Sequence, residues 1–106
     1  MLQRILEVKI GNPMPYAKAK HILVSSERLA NQLRTQIESG ADFSEIAKVY
    51  SECTTSRHGG SLGCFAPGQM AAQVDRAVFE GTPGLLYGPV VTEFGFHLVI
   101  TEFKSP

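Results

Sequence analysis

The chain has little of several features that mark common functional classes. Its 106 residues include no tryptophan and only two cysteines, Cys53 and Cys64, too few for a disulfide framework and not spaced as a Cys-x-x-Cys redox motif. Lysine plus arginine and aspartate plus glutamate each number 10, so no basic excess supplies the electrostatic footprint of a nucleic-acid binder. We therefore expect no nucleic-acid partner.

Long apolar runs are also missing. No stretch approaches the roughly 18 apolar residues that span a bilayer, so we expect no membrane partner. The apolar beginning of the chain is interrupted by Glu7 and Lys9, and no small-residue cleavage site follows it. On these grounds we expect a cytoplasmic protein in a reducing compartment.

The chain is expected to form one domain, because 43% hydrophobic residues fill one modest core but not two. Residues 1–17 differ from the rest: Leu6, Val8 and Ile10 alternate like a short strand, and a stretch rich in glycine and proline follows. We predict an N-terminal arm over 1–17 and a domain over 18–106.

Within that domain, strand and helix patterns follow one another without a repeated βαβ unit. Strand patterns cover residues 20–24, 61–65, 87–91 and 95–103. Helical patterns begin after an N-cap residue in Ser25-Ser26-Glu27, after the N-cap candidate Asp42, and again at about residue 69. The order predicts an α+β domain in which an antiparallel sheet is covered by helices.

Two histidines occupy similar places in the first and last strand patterns. Period-two alternation places His97 on one face of the last strand with Thr101, and His21 stands in an apolar run of the first. One such histidine is more often a satisfied core residue than a functional one. Two in matching contexts weaken that explanation without removing it. Cys53, just past the second helix, is by pattern alone a small buried hydrophobe.

Two other kinds of site use the same residue types. A Cys-His hydrolase needs a recognisable signature around its cysteine, and none is present. A zinc site through Cys53, His58 and Cys64 would have only three ligands at unsuitable spacing. No phosphate-binding Gly-Lys motif is present either. We therefore expect neither a metal nor another cofactor.

Six short motifs stand in a characteristic order. They are His21-Ile22-Leu23-Val24, Gly40-Ala41-Asp42-Phe43, Gly59-Gly60-Ser61-Leu62-Gly63-Cys64-Phe65, Gly68-Gln69-Met70, Gly88-Pro89-Val90 and Phe94-Gly95-Phe96-His97. Together they resemble the parvulin family of peptidyl-prolyl cis/trans isomerases over about residues 18–104. The resemblance implies an FKBP-like, four-stranded antiparallel sheet wrapped by about four helices. It also implies an enzyme that accelerates rotation about X-Pro bonds in peptides and folding proteins.

The resemblance further implies a set of site residues. His21 and His97 match the family's paired histidines, Cys53 matches the cysteine or acidic residue facing the substrate carbonyl, and Thr92 matches a hydroxyl that orients the pair. The positions that match the substrate-binding surface are Leu62, Phe65, Gln69, Met70, Val74 and Phe94. Val74 stands where the family usually has phenylalanine, so we expect a wider proline pocket.

The partners implied are proline-containing peptide segments of client proteins, bound by a monomer. Phosphate-directed parvulins carry clustered basic residues in a longer loop after the first strand, whereas this chain has only Ser25-Ser26-Glu27 there. We expect no preference for phosphorylated substrates. A noncatalytic peptide-binding or chaperone module on the same fold remains the alternative.

Overall fold

Four antiparallel strands form one sheet in the structure, a computed structural model that describes residues 15–105. They are β1 (Ala17–Val24), β2 (Ser61–Phe65), β3 (Leu86–Thr92) and β4 (Gly95–Lys104). The order across the sheet is β2-β1-β4-β3. The first and last strands of the sequence are therefore neighbours in its centre, and the predicted α+β sheet is confirmed.

Three α-helices and one short 3-10 helix connect the strands, close to the number expected. They are α1 (Glu27–Glu38), α2 (Phe43–Tyr50), the 3-10 helix (Thr54–His58) and α3 (Ala72–Phe79). The last of them begins three residues later than predicted. A turn replaces its first residues, because the Gln69 side chain accepts the Ala66 N–H at 2.8 Å and the Asp75 carboxylate accepts the Gly68 N–H.

The ends of the first two helices are fixed by side chains that the sequence singles out. The Ser26 hydroxyl accepts the Leu29 N–H at 3.1 Å, and the Asp42 carboxylate accepts the Glu45 N–H at 3.0 Å. These are N-cap bonds, which satisfy otherwise unpaired donors. After α1, Gly40 takes a left-handed φ of 112° at the position after the C-cap, as C-terminal capping motifs require.

The sheet has apolar residues on both faces. One face packs against α1 and α2 through Ile22, Val24, Leu98, Ala30, Leu33, Phe43 and Ala47. The other packs against α3 through Ala17, Ala19, Val99, Phe65, Val74 and Val78. Alternation along β1 and β4 places His21 and His97 on the second face, which we call the histidine face.

The predicted alternation of residues 6–10 lies outside the described part of the chain, so the boundary of the N-terminal arm stays a prediction. Within residues 15–105, every helix is too short or too polar to span a bilayer.

Candidate functional site

The two histidines predicted from the strand patterns lie next to each other in the sheet. His21 on β1 is opposite Val99 on β4, and His97 is opposite Leu23, so the two imidazoles are diagonal neighbours on one face. Their Nδ1 atoms are 3.1 Å apart, and the ring planes differ by 18°. Both residues are buried, with 6% and 4% of their surface exposed.

Each histidine uses its second ring nitrogen to contact a threonine. His97 Nε2 lies 2.7 Å from Thr92 Oγ1, and His21 Nε2 lies 3.1 Å from Thr55 Oγ1. The backbone N–H of Phe94 donates to Thr92 Oγ1 at 3.1 Å. The two imidazoles thus form the middle of a hydrogen-bonded row with a hydroxyl at each end.

The hydrogen bonds of this row can all run from donor to acceptor in either of two directions, and one direction leaves no buried donor unpaired. When the Thr92 hydroxyl donates to His97 Nε2, the Nδ1–H of His97 donates to His21 Nδ1, and the Nε2–H of His21 donates to Thr55 Oγ1. In the reverse direction Thr92 Oγ1 accepts from both His97 and Phe94, and its own buried proton has no acceptor among the residues described. A buried donor without a partner is costly.

Burial keeps both imidazoles neutral. It lowers the pKa of His21 to about 4, with the neighbouring His97 as a second, smaller cause, and it lowers the pKa of His97 from its usual value. Desolvation acts in this direction because it penalises the charged form of a base. A neutral pair is also what the row requires, since each imidazole must supply one donor and one acceptor.

Glycines allow the backbone to approach both histidines closely. The His21 N–H donates to Gly60 O at 2.9 Å, and a Cβ on Gly60 would lie 2.4 Å from the His21 carbonyl oxygen. A Cβ on Gly88 would lie 2.3 Å from the carbonyl oxygen of His97. Only glycine fits at these two positions, where φ is +86° and +121°.

Cys53 lies immediately before the 3-10 helix. It is half-buried, its carbonyl accepts the Ser56 N–H at 2.9 Å, and its thiol makes no hydrogen bond to a described residue. His58 and Cys64, the other members of the zinc alternative, are both exposed. No group of three potential metal ligands occurs among residues 15–105.

The six positions matched to substrate binding lie at different depths. Phe65 and Val74 are core residues, with 5% and 3% exposed. Leu62 and Met70 are partly buried and pack on the same cluster, so they present apolar surface beside the histidine face. Val74 therefore packs within the core beneath that surface.

The remaining two positions are at the surface. Gln69 is exposed, and its side-chain oxygen is occupied by the Ala66 N–H. Phe94 lies in the β3–β4 turn with 65% of its surface exposed, directly after the turn residue Glu93. The structure brings Thr92 to His97, but it leaves Phe94 projecting from the turn.

Sequence reasoning missed Thr55. This residue stands two positions after Cys53 in the hydroxyl-rich run Thr54-Thr55-Ser56, which was the available signal. Its partner His21 is 34 residues away in the sequence, so only the tertiary fold reveals the contact.

Comparison with known proteins gives a consistent result. A family model described as Rotamase, PPIC-type PPIASE domain, matches residues 13–102. The foldase protein PrsA of Geobacillus kaustophilus is 37% identical over 104 residues, which are 97% of this chain and 37% of that protein. The chain spans about a third of the length of the PrsA relatives it matches.

Solved structures agree with this assignment. The crystal structure of the peptidylprolyl isomerase PrsA from Bacillus anthracis matches with a TM-score of 0.84 at 31% identity, covering 98% of this chain and 49% of that one. The solution structure of NmPin, the parvulin of Nitrosopumilus maritimus, matches with a TM-score of 0.76 at 31% identity, covering 85% of this chain and 98% of that one.

The expectation of a cytoplasmic protein is wrong. The relatives named foldase protein PrsA are extracellular, membrane-anchored chaperones that act after translocation. The error has a simple cause: cellular location is set by targeting segments, and the composition of a folded domain carries no such address.

The family model matches most of the chain, and the solved structures that match are a peptidylprolyl isomerase and a parvulin. The predicted reaction class, peptidyl-prolyl cis/trans isomerisation, is confirmed as that of the domain family. The noncatalytic alternative gains no support from these matches. The chain belongs to the PPIC-type peptidyl-prolyl isomerase family, the parvulins.

Proposed function

We propose that this domain isomerises X-Pro bonds in extended segments of client proteins, and that the substrate proline binds on the histidine face. One observation carries the proposal: a neutral, buried row of hydrogen bonds through His97 and His21 lies on the sheet face where Leu62 and Met70 present apolar surface. A proline ring needs the apolar surface, and its amide needs the polar row.

The reaction is a rotation about the C–N bond in which no covalent bond is made or broken. Amide resonance sets a barrier of about 18–20 kcal/mol to rotation about the C–N bond. In the twisted transition state the carbonyl oxygen carries less negative charge and the nitrogen regains its lone pair. A site that excludes water and does not hold a strongly charged carbonyl therefore favours the transition state over the planar ground state. Each 1.36 kcal/mol of difference gives about tenfold in rate.

We assign the site residues accordingly. Leu62 and Met70 contact the proline ring, while Phe65 and Val74 support them from the core. Gln69 holds the turn that carries Met70, and Phe94 contacts a residue next to the proline.

The polar residues have different roles. His21 and His97, oriented by Thr92, form the neutral wall of the site. Cys53 shapes the electrostatic environment of the substrate carbonyl, and bond rotation requires no covalent attack by its thiol.

We further propose that the domain does not select phosphorylated substrates. Ser25 and Ser26 alone connect β1 to α1. The Ser25 N–H is already bound by the Glu52 carboxylate at 3.0 Å, and Glu27 adds a second negative charge beside it. A phosphate dianion would be repelled by these carboxylates, and Arg28 alone cannot form the paired grip that phosphate selectivity needs.

Turnover of matched peptides tests this function. A Leu-Pro peptide, a Ser-Pro peptide and its phosphorylated form are compared by a protease-coupled assay of the cis form. We expect turnover of all three, with no gain from the phosphate. The His97→Asn variant should turn over the Leu-Pro peptide at least about tenfold more slowly, whereas Gln32→Ala, on the exposed side of α1, should match the parent.

The outcomes separate the two candidate functions. Peptide binding without acceleration of isomerisation would favour a noncatalytic chaperone module. A much faster reaction of the phosphorylated peptide would contradict the proposed specificity. Sedimentation is expected to show a monomer, and dialysis against EDTA should leave the activity unchanged.

A further inference from the structure

The edge of β1 that faces β2 is longer than β2 itself. β2 pairs with β1 only as far as Lys20, whereas β4 covers the other edge up to Val24. Beyond Lys20, alternate residues of β1 direct their backbone N–H and C=O groups toward the uncovered edge. Gly60 O accepts the N–H of His21 at 2.9 Å. The next polar groups on this edge belong to Leu23 and Ser25, and they need other partners.

The segment between α2 and the 3-10 helix supplies these partners. The Leu23 N–H donates to Ser51 Oγ at 3.0 Å, and the Glu52 N–H donates to Leu23 O at 2.7 Å. The Ser25 N–H donates to Glu52 Oε2 at 3.0 Å. Ser51 and Glu52, which we call the latch, thus continue the pairing of β2 with three hydrogen bonds, one of them to a charged group.

Cys53 is the residue directly after the latch. On its other side, the Cys53 carbonyl accepts the Ser56 N–H and begins the 3-10 helix. That helix is attached to β1 again, because Thr55 Oγ1 contacts His21 Nε2 at 3.1 Å. The backbone of Cys53 is therefore held between two attachments to the strand that carries the first histidine.

We propose that Ser51 and Glu52 are positioning residues that fix the Cys53 thiol relative to His21. The proposal rests on the function proposed above, in which Cys53 shapes the surroundings of the substrate carbonyl. Glu52 has the larger part, because its carboxylate is an acceptor for Ser25 and its backbone N–H binds Leu23, so the whole residue lies across the end of β1. Without that carboxylate, the segment leading to Cys53 loses its charged attachment.

The rate at which the Cys53 thiol is alkylated measures how firmly the latch holds it. Cys64 is exposed, so the measurement uses a Cys64→Ser background in which Cys53 is the only thiol. The rate of alkylation by iodoacetamide and the values of kcat and KM on a Leu-Pro peptide are measured for the parent, Glu52→Ala, Glu52→Gln and Ser51→Ala. Circular dichroism and urea midpoints are recorded for each variant.

When the latch is weakened, the half-buried Cys53 thiol should become more accessible to the reagent. We expect Glu52→Ala to alkylate about three- to tenfold faster than the parent, with a fall of similar size in kcat and little change in KM. Glu52→Gln keeps an oxygen acceptor for the Ser25 N–H and should restore most of both values. Glu27→Ala removes an exposed carboxylate of the same charge near the same connection and should leave both unchanged.

Each outcome decides the proposal. Alkylation and turnover at parental values in Glu52→Ala and Ser51→Ala would overturn it, as would a Glu52→Gln variant that behaves like Glu52→Ala. Ser51→Ala loses only one neutral hydrogen bond. If Glu52→Ala does not fold, this milder variant is used to test the proposal instead. If the parent has no isomerase activity but Glu52→Ala still alkylates faster than the parent, the positioning role is supported and the proposed function is overturned instead.

Discussion

His21 Nδ1 and His97 Nδ1 lie 3.1 Å apart in the centre of the sheet, so one of the two nitrogens carries a proton and the other accepts it. With Thr92 as the donor at one end, His97 is protonated on Nδ1 and His21 on Nε2. The two neutral rings together carry two N–H protons. A third would either put N–H donors on both Nδ1 atoms, which then could not bond to each other, or break the hydrogen bond to a threonine hydroxyl. The geometry therefore favours the uncharged state.

That preference predicts a stability that depends on pH. His21 has a pKa of about 4 in the fold and about 6.5 when unfolded, so between these values the unfolded chain binds more protons. The contribution of His21 to the free energy of unfolding is then fully present above pH 6.5 and is lost as the pH drops toward 4, by up to about 3 kcal/mol.

Urea unfolding at about pH 7.5, 6.5, 5.5 and 5.0, which brackets the unfolded pKa, measures this effect. The variant His21→Leu should show a weaker decline over the same range, while His58→Gln, which changes an exposed ring, should keep the parental slope. A His21→Leu variant with an unchanged slope would show that groups other than His21 cause the decline.

The Cys53→Asp variant should remain active. Rotation about the C–N bond needs no covalent bond to the enzyme, so replacing the thiol should change kcat/KM by less than about tenfold, or about 1.4 kcal/mol in the transition state. The protease-coupled assay provides the measurement. Loss of all turnover with a native circular dichroism spectrum, together with a trapped thiol adduct of the parent in mass spectrometry, would establish nucleophilic catalysis.

Gly60→Ala should destabilise the domain strongly. Its Cβ would lie 2.4 Å from the His21 carbonyl oxygen, so β1 or the 3-10 helix would have to move, at a cost of more than about 3 kcal/mol. Gly84→Ala is a matched control, because Gly84 has a similar φ of +89° and open space around the added atom. It should cost only the left-handed strain of about 1–2 kcal/mol. Equal urea midpoints for the two variants would contradict this explanation.

Val74→Phe should also lower stability. Val74 is 3% exposed and packs with Phe65, Val78 and Val99, so a larger ring must push these neighbours apart, which typically costs about 1–3 kcal/mol. The wider pocket expected from the sequence would instead accept the ring. A Val74→Phe variant with parental thermal stability and a higher kcat/KM would show that open space does exist beside Val74.

Much of the fold could be predicted because local rules decided it. The caps Ser26 and Asp42, the glycine after α1 and the alternation in β4 are signals carried by a few adjacent residues. The start of α3 was predicted too early, because the Asp75 carboxylate reaches back to Gly68 and stabilises a turn there. This hydrogen bond connects the residue before the predicted helix with a residue inside it, and the helical pattern of the sequence gives no sign of it.

The strand patterns marked the two histidines of the site, and the family resemblance marked its other positions. His21, His97 and Thr92 were expected together, and their atoms meet as described above. The contact of Thr55 with His21 and the latch at Ser51 and Glu52 join residues far apart in sequence. Nothing in the spacing of such residues encodes the contact, because the uncovered edge of β1 exists only after the sheet has formed.

The central position of β1 beside β4 also has a kinetic consequence. The two imidazoles are separated by 76 residues of sequence, so the chain must close a loop of nearly the whole domain before they meet, and contacts of such high order form late and slowly. A nascent chain whose β4 is still inside the ribosome has only His21 of the histidine pair and no site. The proposed site is thus completed near the end of the domain's own folding, and a partly synthesised copy lacks it.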